Sequence, residues 1–325
     1  MRNIIVTGGA GYIGAHLVKL LATDTDITVH VVDNFSQSRK NILSRSNVLY
    51  HEIDIRNREA VADIFGRIKP DTVFHFAALA SVPDSVSNPS NYYLTNVVGS
   101  YNVLEAMRSS GCKKIICSSS ASVYGEPQSE IIVEDHPKSP TNPYGQTKLI
   151  VESMFKDYHV AYGISSISFR YFCAAGADPE GELGEYHVPE THVIPSLLGV
   201  ILGTRDQFAI YGTDYNTPDG TGIRDYIHVM DLASAHICAM KKLETETLCT
   251  TYNLGINKGF SVRELIIAAE RVTGTKVNYT EKDRRPGDPS RLIADATRAM
   301  TELNWQPEYL DIEEIIKTAY DSQKK

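Results

Sequence analysis

An α/β fold built on a doubly wound parallel sheet is what this sequence predicts, and three observations predict it. Apolar, β-branched runs alternate with segments of helical periodicity through the first half of the chain. A glycine-rich turn, TGGAGYIG at Thr7 to Gly14, directly follows the first of those runs. An acidic residue, Asp33, closes the second. Alternation of this kind places helices on both faces of a parallel sheet.

Taken in order, strands are expected at Asn3–Val6, Ile27–Val32, Val48–Ile53, Thr72–Phe76, Lys114–Cys117 and Ser166–Phe169, where β-branched residues suit a pleated, covered surface. The segments between them carry apolar residues at helical spacing, near Tyr12–Ala22, Arg58–Ile68, Asn91–Ser109 and Tyr144–Tyr162. Past Tyr171 the pattern becomes irregular, with Gly, Pro and acidic residues through Gly176–Glu190, a helix near Ile194–Leu202 and a loop from Tyr211 to Ile223. This part reads as a smaller α/β, substrate-side domain. A return to the sheet is expected around Tyr226–Asn253, then terminal helices, one opened by a capping box from Ser261 to Glu264. The expected division is residues 1–172 with a return segment 224–255 for dinucleotide binding, and 173–223 with 256–325 for the substrate.

The 325 residues are 42% hydrophobic, enough to bury a full core. A net charge of −8 without a basic block argues against nucleic acid or an anionic membrane as partner, while a few placed arginines could still hold an anionic small molecule. The five cysteines (Cys112, Cys117, Cys173, Cys238, Cys249) are odd in number and contain no CxxC pair. That makes a disulfide framework or a metal site unexpected and fits a reducing cytoplasm. The first strand begins at once and no long apolar run follows, so neither a signal peptide nor a membrane span is expected.

Chemistry is carried by two motifs. Gly8, Gly11 and Gly14 sit between the first strand and its helix, where small residues let the backbone approach a pyrophosphate and the helix N-terminus meets its charge. Asp33 stands where a carboxylate can accept hydrogen bonds from both ribose hydroxyls and would repel a 2′-phosphate, favouring NAD over NADP. Asp54 and Ile55, ending the third strand, are placed to reach the adenine. The second motif is Tyr144-Gly-Gln-Thr-Lys148, a tyrosine and a lysine one helical turn apart on the same face. Tyrosine is an ordinary acid of pKa about 10, so it serves as a base only beside groups that favour phenolate. Lys148 and a positive nicotinamide ring would do so, and Ser118, Ser119 and Ser120 at the end of the preceding strand offer hydroxyls to share the proton.

With these residues in place, the chain resembles the extended short-chain dehydrogenase/reductase family nearly end to end, and so its Rossmann-type fold. The similarity runs through VTGGAGYIG, VVDN, HFAA, SSSASVYGE, NPYGQTK, RYFCAAGADPEGELGE, DGTGIRDYIHVMDLA, YNLG and RRPGDPS, with TGIRDYIHV and RRPGDP the most specific. The resemblance implies reversible inversion at C4 of a UDP-hexose through NAD-dependent oxidation to a 4-keto sugar. It implies Ser120, Tyr144 and Lys148 as the catalytic group. Gly8, Gly11, Tyr12, Ile13, Gly14, Asp33, Asn34, Asp54, Ile55, Phe76, Ala77, Asn96, Ser118, Tyr144, Lys148 and Tyr171 would hold NAD. Ser120, Tyr144, Phe172, Cys173, Val193, Arg224, Arg285, Asp288 and Leu292 would hold the UDP-sugar, with the arginines paired to phosphate.

Three positions depart from the better-known bacterial pattern of that family. Cys173 replaces an amide and brings only weak hydrogen-bonding power. Ala80 stands where some relatives place a lysine near the NAD phosphates. Leu292 falls where some have a tyrosine against the sugar, which would leave room for an N-acetyl group. Other readings are a UDP-pentose epimerase, a non-enzymatic NAD-sensing protein and a 4,6-dehydratase. The dehydratase needs an Asp-Glu couple where this chain reads Ser120-Ala121-Ser122. The helices Asn91–Ser109 and Tyr144–Tyr162 carry apolar residues on more than one face, so a homodimer through these helices is also expected.

Overall fold

The computed structural model describes residues 2–186, 190–285 and 288–324. In chain order, β1 (Arg2–Thr7) leads through the glycine turn into α1 (Tyr12–Leu21), followed by β2 (Ile27–Asp33), β3 (Val48–Glu52), α2 (Arg58–Ile68) and β4 (Thr72–His75). Next come α3 (Val82–Ser87), α4 (Pro89–Tyr92), a wide helical stretch (Tyr93–Val98), α5 (Gly99–Ser110) and β5 (Lys114–Ser120). Then β6 (Ile131–Ile132), α6 (Pro143–Tyr162), β7 (Ser165–Tyr171), β8 (Cys173–Ala175), α7 (Val193–Ile201) and β9 (Phe208–Tyr211) follow. The chain continues with β10 (Ile223–His228), α8 (Val229–Thr245), β11 (Cys249–Leu254), β12 (Gly259–Ser261) and α9 (Val262–Thr273). It ends with β13 (Tyr279–Lys282), β14 (Arg291–Ala294), α10 (Thr297–Glu302) and α11 (Ile312–Gln323).

Seven parallel strands make the large sheet in the order β11-β7-β5-β4-β1-β2-β3. The winding reverses at β1, which pairs with β2 on one side and β4 on the other. In such sheets the crevice outside the carboxyl ends at this reversal is where ligands bind. Both faces are covered. One apolar cluster packs α1 and α8 residues such as Leu17 and Leu232 against the sheet, and a second gathers Val61 and Phe65 of α2, Val103 and Met107 of α5 and Val151 and Phe155 of α6. The strands are therefore buried on both sides and read as nearly continuous apolar runs.

The sequence expectation differs from the structure in three places. The helix expected over Asn91–Ser109 is interrupted: Gly99 N–H bonds back to Leu94 O, widening the turn before α5 begins. A Cβ at Gly99 would come within 2.5 Å of Ile55 Cδ1, so glycine there lets the helix close onto the segment after β3. The strand expected at Lys114–Cys117 runs on through the serines to Ser120, paired residue by residue with β7 as far as Tyr171. Finally, residues 223–228 do not rejoin the large sheet. They pair with β8, β12 and β14 in a smaller five-stranded sheet, and the return is made by α8 and β11. The cause is β8, which leaves β7 after one residue and offers β10 a parallel edge. A separate parallel pair, β9 with β13, completes the strands among the described residues.

Candidate active site

One cavity of about 1300 Å3 runs along the carboxyl ends of the large sheet and under the smaller one. Its lower wall is the glycine turn. At Gly14 an added Cβ would lie 2.3 Å from Gly8 O, and at Gly8 it would lie 2.6 Å from Ala77 N, so neither position admits a side chain. The first turn of α1, opened by Gly11 with no side-chain cap, lines the cavity. That bare cradle fits a dinucleotide pyrophosphate. Tyr12 donates to Gly176 O at 2.6 Å, tying the turn to the segment after β8.

Asp33, at the end of β2, takes the Ala10 N–H on one oxygen and the Phe35 N–H and Ser38 hydroxyl on the other. These donors hold the carboxylate in place at the cavity wall, and the oxygen that takes only the Ala10 N–H keeps lone-pair capacity for a ribose hydroxyl. Asp54 is gripped by Arg56 through two nitrogens, at 2.9 and 2.6 Å, and by Asn34 at 2.9 Å. The Arg56 contact, with these other bonds, pulls its carboxyl down to about 2.

The Tyr144–Lys148 pair comes from the first turns of α6. Asn142 caps that helix by accepting the Gly145 N–H, and Pro143 stands at its first position. Gly145 lies against the turn after β5, where a Cβ would meet Ser122 O at 2.4 Å. Lys148 is buried and donates to Ser118 O at 2.7 Å and to its hydroxyl at 3.1 Å. Its ammonium lies 5.9 Å from the centre of the Tyr144 ring. Burial, with the Lys148 charge second, pushes the neighbouring His75 down to about 3, so that ring stays neutral between Thr7 and Ser100. Tyr171 is held by His236, whose Nδ1 faces Leu232 O at 2.7 Å; Nε2 is then left to accept the Tyr171 hydroxyl at 2.7 Å. Burial raises the Tyr171 phenol well above its ordinary value, leaving it a neutral donor in a cavity that also contains Tyr144.

On the opposite wall, Arg224 of β10 pairs with Asp288, and the Arg285 guanidinium lies 3.9 Å above the Tyr211 ring. Cys173 lines the cavity as a neutral thiol, pushed up to about 11 by burial. Pro286 and Gly287 of the RRPGDPS run lie outside the described residues.

All the site residues singled out from sequence line this cavity except two. Asn96 is 1% exposed and spends its amide on Leu79, at 2.8 and 3.0 Å, and on Thr147 at 3.0 Å. It braces the wall and α6 and does not present its amide to the cavity. Leu292 is the second correction. It packs, with Leu149, against a cluster of Ala121, Val123, Tyr124 and Phe172. Phe172 and Ser120 form the wall, so the steric argument for an N-acetyl group loses its footing at Leu292.

Several lining residues carried no sequence signal. Ala209 and Tyr211 belong to β9, and Gln207 immediately precedes it; the strand is too short to stand out. His192 sits with Nδ1 2.6 Å from Glu185 and 3.4 Å from Glu190. Burial opposes its charge, but the two carboxylates prevail and raise it to about 10.

The fold and this site define an NAD-type dehydrogenase-like protein of the extended short-chain dehydrogenase/reductase class. The family model for GDP-mannose 4,6 dehydratase matches residues 5–319. A UDP-glucose 4-epimerase of Lacticaseibacillus casei is 46% identical over 321 residues, covering 98% of this chain and 96% of the relative. Among solved structures, the UDP-glucose 4-epimerase of Brucella ovis in complex with NAD superposes with a TM-score of 0.95 at 42% identity, covering 99% of this chain and 98% of its own. The enzyme of Bifidobacterium longum, in complex with NAD+ and UDP, gives 0.93 at 37%, covering 99% and 98%. The chain belongs to the UDP-glucose 4-epimerase family.

Proposed function

We propose that this chain interconverts UDP-galactose and UDP-glucose, with Tyr144 as the proton acceptor for the sugar 4-hydroxyl. The observation that carries the reading is one cavity lined by the glycine cradle, by Tyr144 with Lys148 and by Arg224 with Arg285. The glycine cradle and Asp33 would hold NAD, which would supply a reversible hydride acceptor for the C4 hydrogen. Around that exchange the chain's residues hold and move protons. Lys148, fixed on Ser118, holds its ammonium 5.9 Å from the Tyr144 ring. Ser120 lines the same wall and offers a hydroxyl to the sugar oxygen. Arg224 and Arg285 hold the diphosphate, with Tyr211 beneath Arg285 as a flat surface, and the sugar beyond it stays free to turn and present its other face.

Dehydration is disfavoured although the matching family model is named for it, because Ala121 and Ser122 follow Ser120 where an acid pair would be needed. The division of labour is proposed as residues 1–172 with 229–255 for NAD and the remainder for the UDP-sugar. A homodimer is proposed through α5 and α6, since Tyr93, Leu94, Val98 and Tyr101 remain 38–45% exposed beside α6. The unpaired cysteines favour a reducing cytoplasm. No described helix is long and apolar enough to cross a membrane. The test is conversion of UDP-galactose by purified protein without added nicotinamide, with NAD released on heating. Absence of turnover, or strict dependence on added NADP, would overturn the reading.

A further inference from the structure

The three serines closing β5 have separate partners. Ser118 accepts from Lys148, Ser120 lines the cavity, and Ser119 donates to Glu152 at 2.6 Å. Glu152 lies on α6 one turn beyond Lys148 and two beyond Tyr144, so β5 pins the helix at successive turns on one face. The same carboxylate receives Arg170 of β7 in a fork, Nε to one oxygen at 3.0 Å and Nη2 to the other at 2.7 Å. Both side chains are almost wholly buried, at 4% and 2% exposure. The third guanidinium nitrogen, Nη1, donates to the Tyr124 hydroxyl and to Glu134 O, each at 2.9 Å. Tyr124 in turn donates to Asn253 of β11 at 2.5 Å.

We propose that Glu152 is a positioning residue for the epimerisation: clamped between Ser119 and Arg170, it fixes the rotation of α6 that aims Tyr144 and Lys148 into the cavity, and it balances the positive charge beneath them. This rests on the assignment of Tyr144 as proton acceptor. Two observations separate it from an ordinary structural ion pair. The clamp joins β5, β7 and α6 just below the residues that face the cavity, and it places an anion one turn from Lys148. Burial works against the Arg170 charge, but the Glu152 carboxylate outweighs it and the guanidinium is held more firmly protonated than usual. Around Glu152 stand Arg170 from β7, Lys148 and Lys156 from its own helix, Cys117 from β5, and Tyr124, Glu134 and Lys138 from the segment between β5 and α6.

The experiment compares Ser119→Ala and Glu152→Gln with wild type in kcat, KM, the pH profile of kcat and thermal midpoint. Ser119→Ala loses one donor and keeps the ion pair, so it should stay folded, keep KM and lower kcat by roughly 3–10-fold through misaim of the helix. Glu152→Gln should lower kcat further, by about 10–100-fold, and move the acid limb of the profile to lower pH. The sign follows from Arg170, whose unopposed positive charge favours the tyrosinate. Should Glu152→Gln fail to fold, the Ser119→Ala result and the charge-free Glu152→Leu/Arg170→Met pair decide, because apolar replacement of a buried ion pair is generally tolerated. Wild-type kcat and pH profile in every variant that folds would overturn the proposal. So would a Ser119→Ala loss that appears in KM alone. Tyr144→Phe, run beside them, tests the proton-acceptor assignment separately: an active Tyr144→Phe enzyme refutes that assignment, while an inactive one with indifferent Ser119 and Glu152 variants refutes only the clamp.

Discussion

At the scale of single residues, the site rests on a few atoms with no freedom to differ. Gly14→Ala would drive a methyl to 2.3 Å from Gly8 O, and the turn would have to open. Overpacking of this kind costs about 1–3 kcal/mol. The expected outcome is protein that folds but purifies with little nicotinamide, read by absorbance of the heat-released supernatant. Tyr144→Phe keeps the ring and removes the hydroxyl, and general-base contributions of roughly 10²–10⁴ predict a kcat loss of at least a few hundred-fold. Affinity for the UDP-sugar, measured by calorimetry, should change little, since Arg224 and Arg285 are untouched. These residues were legible in the sequence because their chemistry is local: a glycine cradle and an i, i+4 pair declare themselves by spacing. That Asn96 and Leu292 do not line the cavity was not legible, for the opposite reason. Each side chain is turned away from the cavity by partners distant in sequence, Thr147 for the first and Ala121 to Tyr124 for the second.

At the scale of elements, α6 carries Tyr144, the proposed proton acceptor, and its first turn is capped by one side chain. Asn142 satisfies an otherwise orphaned N–H at the turn that bears Tyr144. Asn142→Ala should cost about 1 kcal/mol of stability and lower kcat more than KM, since the first turn frays where the base stands. Thermal melts with steady-state kinetics would show both effects, and an unchanged kcat would mean the turn is held by β5 alone. The outward side of the wide helical stretch Tyr93–Val98 and the start of α5 is the element-scale case for association. Tyr93, Leu94, Val98 and Tyr101 are exposed while Val103, Leu104 and Met107 fill the sheet contact. Light scattering at micromolar concentration should report a dimer, and Val98→Glu should shift it towards monomer. Periodicity revealed these helices but not the widened turn before α5, which is imposed by the close approach of Gly99 to Ile55.

At the scale of the whole molecule, buried histidines couple stability to pH. Burial is the largest cause lowering His16 and His236 to about 4 and His75 and His228 to about 3. Their ordinary value is about 6.5, so between that pH and about 4 the unfolded chain binds protons that the folded one refuses. The contribution of these four rings is therefore fully present above about 6.5 and declines as pH falls through this window. Each histidine adds up to about 1.4 kcal/mol per pH unit to the slope. Urea midpoints taken at pH 7, 6 and 5 should fall progressively, and a flat series would show that these rings take up protons without unfolding.

The sequence by itself determined the parallel sheet, the positions of six of its strands along the chain, the dinucleotide cradle and the Tyr144–Lys148 pair. All of these are written in residues near one another along the chain, as alternating runs, glycine spacing or one helical turn. Only the tertiary structure decided that residues 223–228 join the smaller sheet, that β9 and His192 face the cavity, and that Ser119, Glu152 and Arg170 meet beneath α6. Those outcomes depend on which edges and charges the packed strands bring together, and burial makes them binding: a β8 edge left open or a Glu152 carboxylate left unpaired in the interior would cost more than the local sequence around either could return.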